Sequence, residues 1–282
     1  MDFGGILCCL LMLNIVCLTK PDHIKTKTDD IYHGIYLDEN NASQLIIHGD
    51  VAFYGQHPYM VSIQLLKEGN WEHSCGGTII SPRTILTAAH CVAWNHTGVP
   101  FRVVAGVHRL HESDDFEVYR DVGQFIVYPE FQRHSPGIPG DLAILHMTSA
   151  LTFNSHVSSL ALAAPGDDFT HHKCNLVGWG RTSANGERSN VLLSMDTTVL
   201  SNSDCNQHYE DGREPSEVIL PTHVCSLQPP AGPCDNDSGA PLQCSGVLVG
   251  VLSWGRTGCN VNFPAVFTRV SQYRQWIAHY TV

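Results

Sequence analysis

The sequence predicts an all-β domain, a sandwich or a barrel, closed by a single C-terminal helix. Three observations carry this. Short apolar and β-branched runs, "YMVSIQLL", "GGTIIS", "FRVVAGV", "QFIVY", "LAILHM" and "GVLVGVLSWG", are punctuated by Gly and Pro. That texture belongs to many short strands and not to alternating βαβ units. Only the last stretch, "SQYRQWIAHY", sets apolar residues at helical spacing, with Tyr273, Trp276, Ile277 and Tyr280 on one face. The third observation is an even set of cysteines outside the leader, which suits a small-stranded fold stapled by disulfides.

Composition bounds the rest. The chain has 282 residues, 43% hydrophobic and 15% charged, enough to bury one or two cores. Its net charge of −11 argues against nucleic acid or an anionic membrane as the main partner. Residues 6–18, "ILCCLLMLNIVCL", are apolar but too short for a membrane span. They suit a secretory signal, so residues 1–18 are expected to be removed and the protein to be extracellular. From 19 to 45 the chain is polar and lacks periodicity, which reads as a flexible prosegment. The folded domain occupies 46–282.

Of 11 cysteines, Cys8, Cys9 and Cys17 lie in the leader. Cys75, Cys91, Cys174, Cys205, Cys225, Cys234, Cys244 and Cys259 remain. Eight cysteines allow 105 pairings, and spacing alone leaves the choice open. A zinc site is the rival use, but there is no CxxC, and "HRLH" and "HHKC" read as solvated loops. No metal and no cofactor are expected.

The chemistry is concentrated in "CDNDSGAP". A reactive serine needs a tight turn that exposes Oγ, small neighbours, and backbone N–H groups aimed at the developing oxyanion. Ser238, between Asp237 and Gly239, meets the first two needs. It also needs a base and a group that orients the base. "LTAAHCV" offers His90 beside a cysteine, and "GDLAILHM" places Asp141 at the head of an apolar strand. With 17 histidines in the chain, any one is more often structural. Three such stretches in the order His, Asp, Ser are much harder to dismiss.

From Ile46 to the C terminus the chain resembles the chymotrypsin-like serine proteases. The resemblance rests on "TAAHC", "DLAIL", "DSGAPL", "VLSWG" and the opening "IIHGDVAFYGQHPYMVSI", and on the chain order of the triad. It implies two six-stranded antiparallel β-barrels packed at a cleft. It implies Ser238 as nucleophile, His90 as general base and Asp141 as its orienting partner. The N–H groups of Asn236 and Ser238 would bind the oxyanion, and Ser253, Trp254 and Gly255 would pair with an extended substrate. Gly232 and Pro233 would lie at the base of the primary pocket, with Gly255 and Ala265 as walls. The pairings implied are Cys75–Cys91, Cys174–Cys244, Cys205–Cys225 and Cys234–Cys259, leaving none to tether the prosegment. Cleavage after Leu45 would free Ile46 to pair with Asp237. The partners implied are protein or peptide substrates, an activating protease and protein protease inhibitors.

Several positions depart from the family pattern. Asn236 and Ala240 stand where glycines are usual, and His48 follows the new N terminus in place of glycine. Leu45 at the activation bond disfavours a trypsin-like activator. With no carboxylate at Gly232, the pocket is expected to take Leu, Met, Phe or Tyr. Asp235 and Arg256 flank the cleft and are expected either to bias neighbouring subsites or, as the commoner case, to be solvated rim charges. "VHRLHESDDFE" matches a loop where some relatives bind calcium, but Val107 replaces the first ligand despite Glu112 and Glu117. Asn95-His-Thr is an expected glycosylation sequon. The altered serine loop also leaves open a second reading, a protease-like binding or regulatory protein with weak or no turnover.

Overall fold

The computed structural model describes residues 49–93, 98–113, 115–181, 183 and 186–282. The expected signal, prosegment, activation bond (Leu45, Ile46) and Asn95 sequon lie outside these residues. Fourteen strands follow in chain order. β2 (Met60–Lys67), β3 (Asn70–Ser81), β4 (Thr84–Thr87), β5 (Phe101–Ala105), β6 (Val118–Val127) and β7 (Ala143–Met147) close into a barrel in the order β2-β3-β4-β7-β6-β5. The second barrel comprises β9 (Lys173–Gly178), β10 (Leu193–Leu200), β11 (His223–Leu227), β12 (Pro241–Cys244), β13 (Val247–Trp254) and β14 (Ala265–Arg269). Its order is β10-β11-β14-β13-β12-β9, and β9 pairs back onto β10 to close the ring. β1 (Asp50–Val51) adds to β10, and β8 (Ala161–Leu162) lies parallel to β13.

Local chemistry explains the hairpins. Between Lys67 and Asn70, Glu68 (φ 49°) and Gly69 (φ 85°) are both left-handed, and Ser245 (φ 50°) and Gly246 (φ 83°) repeat this between β12 and β13. Two left-handed residues match the twist of the flanking strands. Inside the first barrel Val61, Ile63, Ile79, Ile85, Val103, Ile144 and Leu145 are fully buried. The second is filled by Leu176, Val177, Trp179, Leu193, Val224, Leu242 and Phe267.

The expected C-terminal helix is α2 (Arg274–Tyr280), entered through a 3-10 turn, Val270–Tyr273. It packs Ile277 and Trp276 onto the core of the first barrel, where Tyr128 meets Tyr273 and Trp276 edge-on at 4.9 and 5.4 Å. A second helix, α1 (Asn202–His208), was not expected. Its seven residues bury only Cys205, so no apolar stripe announces it, and Ser201 caps it by accepting from Asp204 N at 3.0 Å. Among the described residues the disulfides are Cys75–Cys91, Cys174–Cys244, Cys205–Cys225 and Cys234–Cys259. His108 corrects the reading of "HRLH" as solvated. It is 7% exposed, its ring lies 4.2 Å from that of Tyr54, and its carbonyl accepts from Trp179 Nε1 at 3.1 Å.

Core tolerance can be tested at Gly77. A Cβ there would stand 2.8 Å from Ile85 Cγ2 and 3.1 Å from both Ile63 Cδ1 and Val61 Cγ2. Gly77→Ala should cost about 1–3 kcal/mol; a denaturant melt unchanged from the parent would contradict this packing.

Candidate active site

The three candidate residues come from separate elements of the two barrels. His90 sits in a single 3-10 turn, Ala89–Cys91, just after β4, and Cys91 is tied to Cys75 on β3. Asp141 follows Gly140 at the entrance to β7. Gly140 is left-handed (φ 71°), and a Cβ on it would meet Tyr128 Cδ1 at 2.8 Å. Ser238 lies in the loop that feeds β12 of the second barrel.

Asp141 is fully buried, so its carboxylate must be satisfied internally. Oδ1 accepts from the His90 backbone N–H at 2.8 Å, and Oδ2 lies 2.7 Å from His90 Nδ1. Ser253 Oγ donates to the same Oδ2 at 2.5 Å, and Thr268 Oγ1 donates to the Asp141 carbonyl at 2.9 Å. Sequence reasoning missed both hydroxyls as partners of Asp141. A lone Ser or Thr in a strand carries no signal of what it faces. With Nδ1–H given to Asp141, the free Nε2 of a neutral His90 is an acceptor. The His90 side chain is 18% exposed, so that edge is reachable from the cleft.

The serine loop is shaped by backbone conformation. Gly239 is left-handed (φ 78°), and a Cβ there would fall 2.3 Å from Thr87 Oγ1 and 2.5 Å from the Gly76 carbonyl. The loop therefore lies directly against the first barrel, with Gly76 N donating to the Ser238 carbonyl at 2.9 Å. Ala240 is fully buried, and its backbone N and Cα lie 3.2 and 3.1 Å from where a Gly76 Cβ would stand, so the missing side chain of Gly76 makes room for the loop backbone. Asn236 has φ 75°, a conformation that Asn tolerates better than most residues. Among the described residues, neither Asn236 N–H nor Ser238 N–H finds an acceptor.

A further partner is His73, which the motifs did not reveal. Its Nε2 lies 3.3 Å from the Asn236 carbonyl and its Nδ1 2.8 Å from Ser62 Oγ. Burial pushes its pKa down to about 4. The neutral ring that donates from Nε2 and accepts at Nδ1 fits both contacts, and it anchors the carbonyl side of the Asn236 peptide.

Between Ser238 and Asn236, the Asp237 carboxylate is 1% exposed. Oδ1 accepts from Gly180 N at 2.7 Å and Oδ2 from Cys234 N at 3.0 Å. A Cβ on Gly178 or Gly180 would lie 2.1 or 2.0 Å from its oxygens. Desolvation dominates, and its pKa is pushed up to about 6. No ion pair among the described residues includes Asp237.

Beside Ser238 a cavity of about 260 Å³ runs between 232–235 and 252–265. Gly232, Pro233, Ser253, Trp254, Gly255 and Ala265 all line it. Val261 was not expected. Its Cγ1 lies 2.9 Å from where a Gly232 Cβ would stand, so Val261 packs directly against Gly232 in the cavity wall. The acidic residue of the lining is Asp235, which is exposed and 3.6 Å from Arg181 Nε. Arg256 corrects the reading of a solvated rim charge, for its side chain is only 15% exposed and is ion-paired with Glu217. In the 107–117 loop, Val107 is buried, Glu112 pairs with Arg109 at 3.3 Å, and Glu117 accepts from Tyr119.

A family model described as Trypsin matches residues 46–277. The chain belongs to the trypsin family of serine proteases. It is 34% identical over 247 residues to chymotrypsin-like elastase family member 1 of Rattus norvegicus, covering 85% of this chain and 90% of that relative. The human protein of the same name is 33% identical over 249 residues, with 86% and 93% covered. A chymotrypsin-like serine proteinase of Haliotis rufescens is 29% identical over 232 residues, with 82% and 90% covered. As a trypsin-family member, the chain is a serine endopeptidase acting on protein or peptide substrates.

Asp237 generates a pH prediction. Its carboxyl holds a proton more tightly in the folded than in the unfolded chain, so its ionisation removes stability as pH rises from about 4 to 6. His57, His73 and His223, each pushed down to about 4 by desolvation, act oppositely and remove stability as pH falls below 6.5. Asp237→Asn isolates the carboxylate. Relative to this variant, the full chain should lose up to about 3 kcal/mol between pH 4 and 7. Stability curves that stay parallel would refute it.

Proposed function

We propose that this serine endopeptidase works through an acyl-enzyme formed on Ser238. His90 takes the Oγ proton as Oγ attacks the scissile carbonyl, and Asp141 holds the imidazole and stabilises its charged form. The tetrahedral oxyanion is received by the N–H groups of Asn236 and Ser238. His90 then protonates the leaving amine, and a water repeats the sequence on the ester. The observation that carries this reading is the buried Asp141 carboxylate, bonded to both the backbone and the ring of His90.

We further infer a secreted zymogen, with residues 1–18 as signal, 19–45 as prosegment and 46–282 as the peptidase. Cleavage after Leu45 by an activating protease frees the Ile46 ammonium, which pairs with Asp237. A carboxylate held by two backbone N–H groups without a cation among the described residues supports this. A buried pair is costly unless complete, which suits a switch. Glycosylation at Asn95 and binding of protein protease inhibitors are expected of the exported enzyme.

Active-site titration with a fluorophosphonate probe, on protein engineered to begin at Ile46, tests the mechanism. Stoichiometric labelling that Ser238→Ala abolishes is expected; folded protein that stays unlabelled would favour the binding-protein reading. Since residue 236 already has a left-handed backbone, Asn236→Gly should change turnover by less than about tenfold. Losing an oxyanion donor would cost roughly 10²–10³, so a gain of that size would mean Asn236 blocks the site.

The pocket supports cleavage after Leu, Met, Phe or Tyr, with Val261 shortening it in favour of Leu and Met. Val261→Gly should raise kcat/KM for Phe and Tyr relative to Leu by about tenfold or more. An unchanged ratio would place the floor elsewhere.

A further inference from the structure

Arg256 lies next along the chain after Gly255 and lines the same cavity as Ser238. Its guanidinium is held from several sides. Nε lies 2.7 Å from Glu217 Oε1, and Nη1 donates to the Gly212 carbonyl at 3.3 Å. Cζ stands 3.9 Å from the Phe263 ring centre and 5.5 Å from that of Tyr209. Glu217 is equally enclosed: its side chain is 6% exposed, and Oε2 accepts from Glu214 N at 3.0 Å. The pair is not an ideal fork. The Nε–H is not aligned with its contact, and Nη2 is buried without an acceptor among the described residues.

Such a pair is weak evidence for stability, because desolvation offsets most of the attraction. Its electrical effect is clearer. Two opposite charges 2.7 Å apart present little net field to a neighbour, whereas either alone would present a full charge in a partly desolvated wall. We propose that Glu217 is a specificity-determining residue: by neutralising Arg256, it keeps the upstream end of the cleft indifferent to acidic substrate side chains. An extended substrate paired with Ser253–Gly255 runs past Arg256 as it leaves the pocket, so its upstream side chains are the ones that sample this charge. The proposal rests on the peptidase reading of the cleft.

The test uses two peptides with Leu for the pocket, differing only in Glu or Gln three residues upstream of it. The preference for Glu over Gln is read at low salt, where screening is least. It is read as kcat/KM on the active enzyme and as a Kd ratio by anisotropy of labelled peptides on Ser238→Ala protein. The second readout holds even if turnover fails, so failure of the peptidase reading stays separate. The parent should show a ratio near one. Glu217→Gln keeps the acceptor but removes the charge, and should shift the ratio about three- to tenfold toward Glu. Arg256→Met should shift it by a similar factor toward Gln, and the double variant should return it to the parent value. Each single variant tests the idea by itself if the other does not fold. A ratio unmoved in a folded single variant, a shift of the same sign in both, or a parent that already favours Glu would overturn the proposal.

Discussion

Closure of each sheet on itself is the constraint from which the rest follows. A barrel has no free edge, so every strand is paired on both sides and the functional groups must come from its ends and loops. His90 and Asp141 emerge from connections around β4 and β7 of one barrel, and Ser238 from the loop before β12 of the other. The interface is made close by absent side chains. Gly76 and Gly239 let the serine loop press against β3 and Thr87. The geometry of the candidate site is thus a property of how two closed cylinders touch.

The buried carboxylates in this contact are treated differently. Asp141 is given two hydrogen bonds from His90 and one from Ser253, and so its charge is matched by donors on the described chain. Asp237 receives two backbone N–H bonds and no cation among the described residues, so desolvation raises its pKa. One carboxylate is matched by side-chain and backbone donors together, while the other is held among the described residues by backbone donors alone. The two thus meet burial by different means.

Much of this was legible in the sequence. Short apolar and β-branched runs punctuated by Gly and Pro announce strands through local physics, and the motifs around His90, Asp141 and Ser238 are contiguous in sequence. What was hidden depends on residues far apart in the chain. Ser253 and Thr268 meet Asp141 across more than 100 positions, and His73 reaches Asn236 across 163. Val261 meets Gly232 only across 29 positions of chain. Arg256 looked like a surface charge because Glu217, Phe263 and Tyr209 are not its sequence neighbours. Helix α1 escaped notice because seven residues with one buried cysteine make no periodic face.

Gly178 and Gly180 carry a consequence for how this fold tolerates change. Their missing β-carbons are the volume in which the Asp237 carboxylate sits. Adding one methyl group at either place would crowd the oxygens that accept from Gly180 N and Cys234 N. The two glycines therefore belong to the Asp237 site as fully as its hydrogen-bond donors do, although neither brings a side chain to it. What they contribute is space alone, and that space is as specific as any polar contact around the carboxylate.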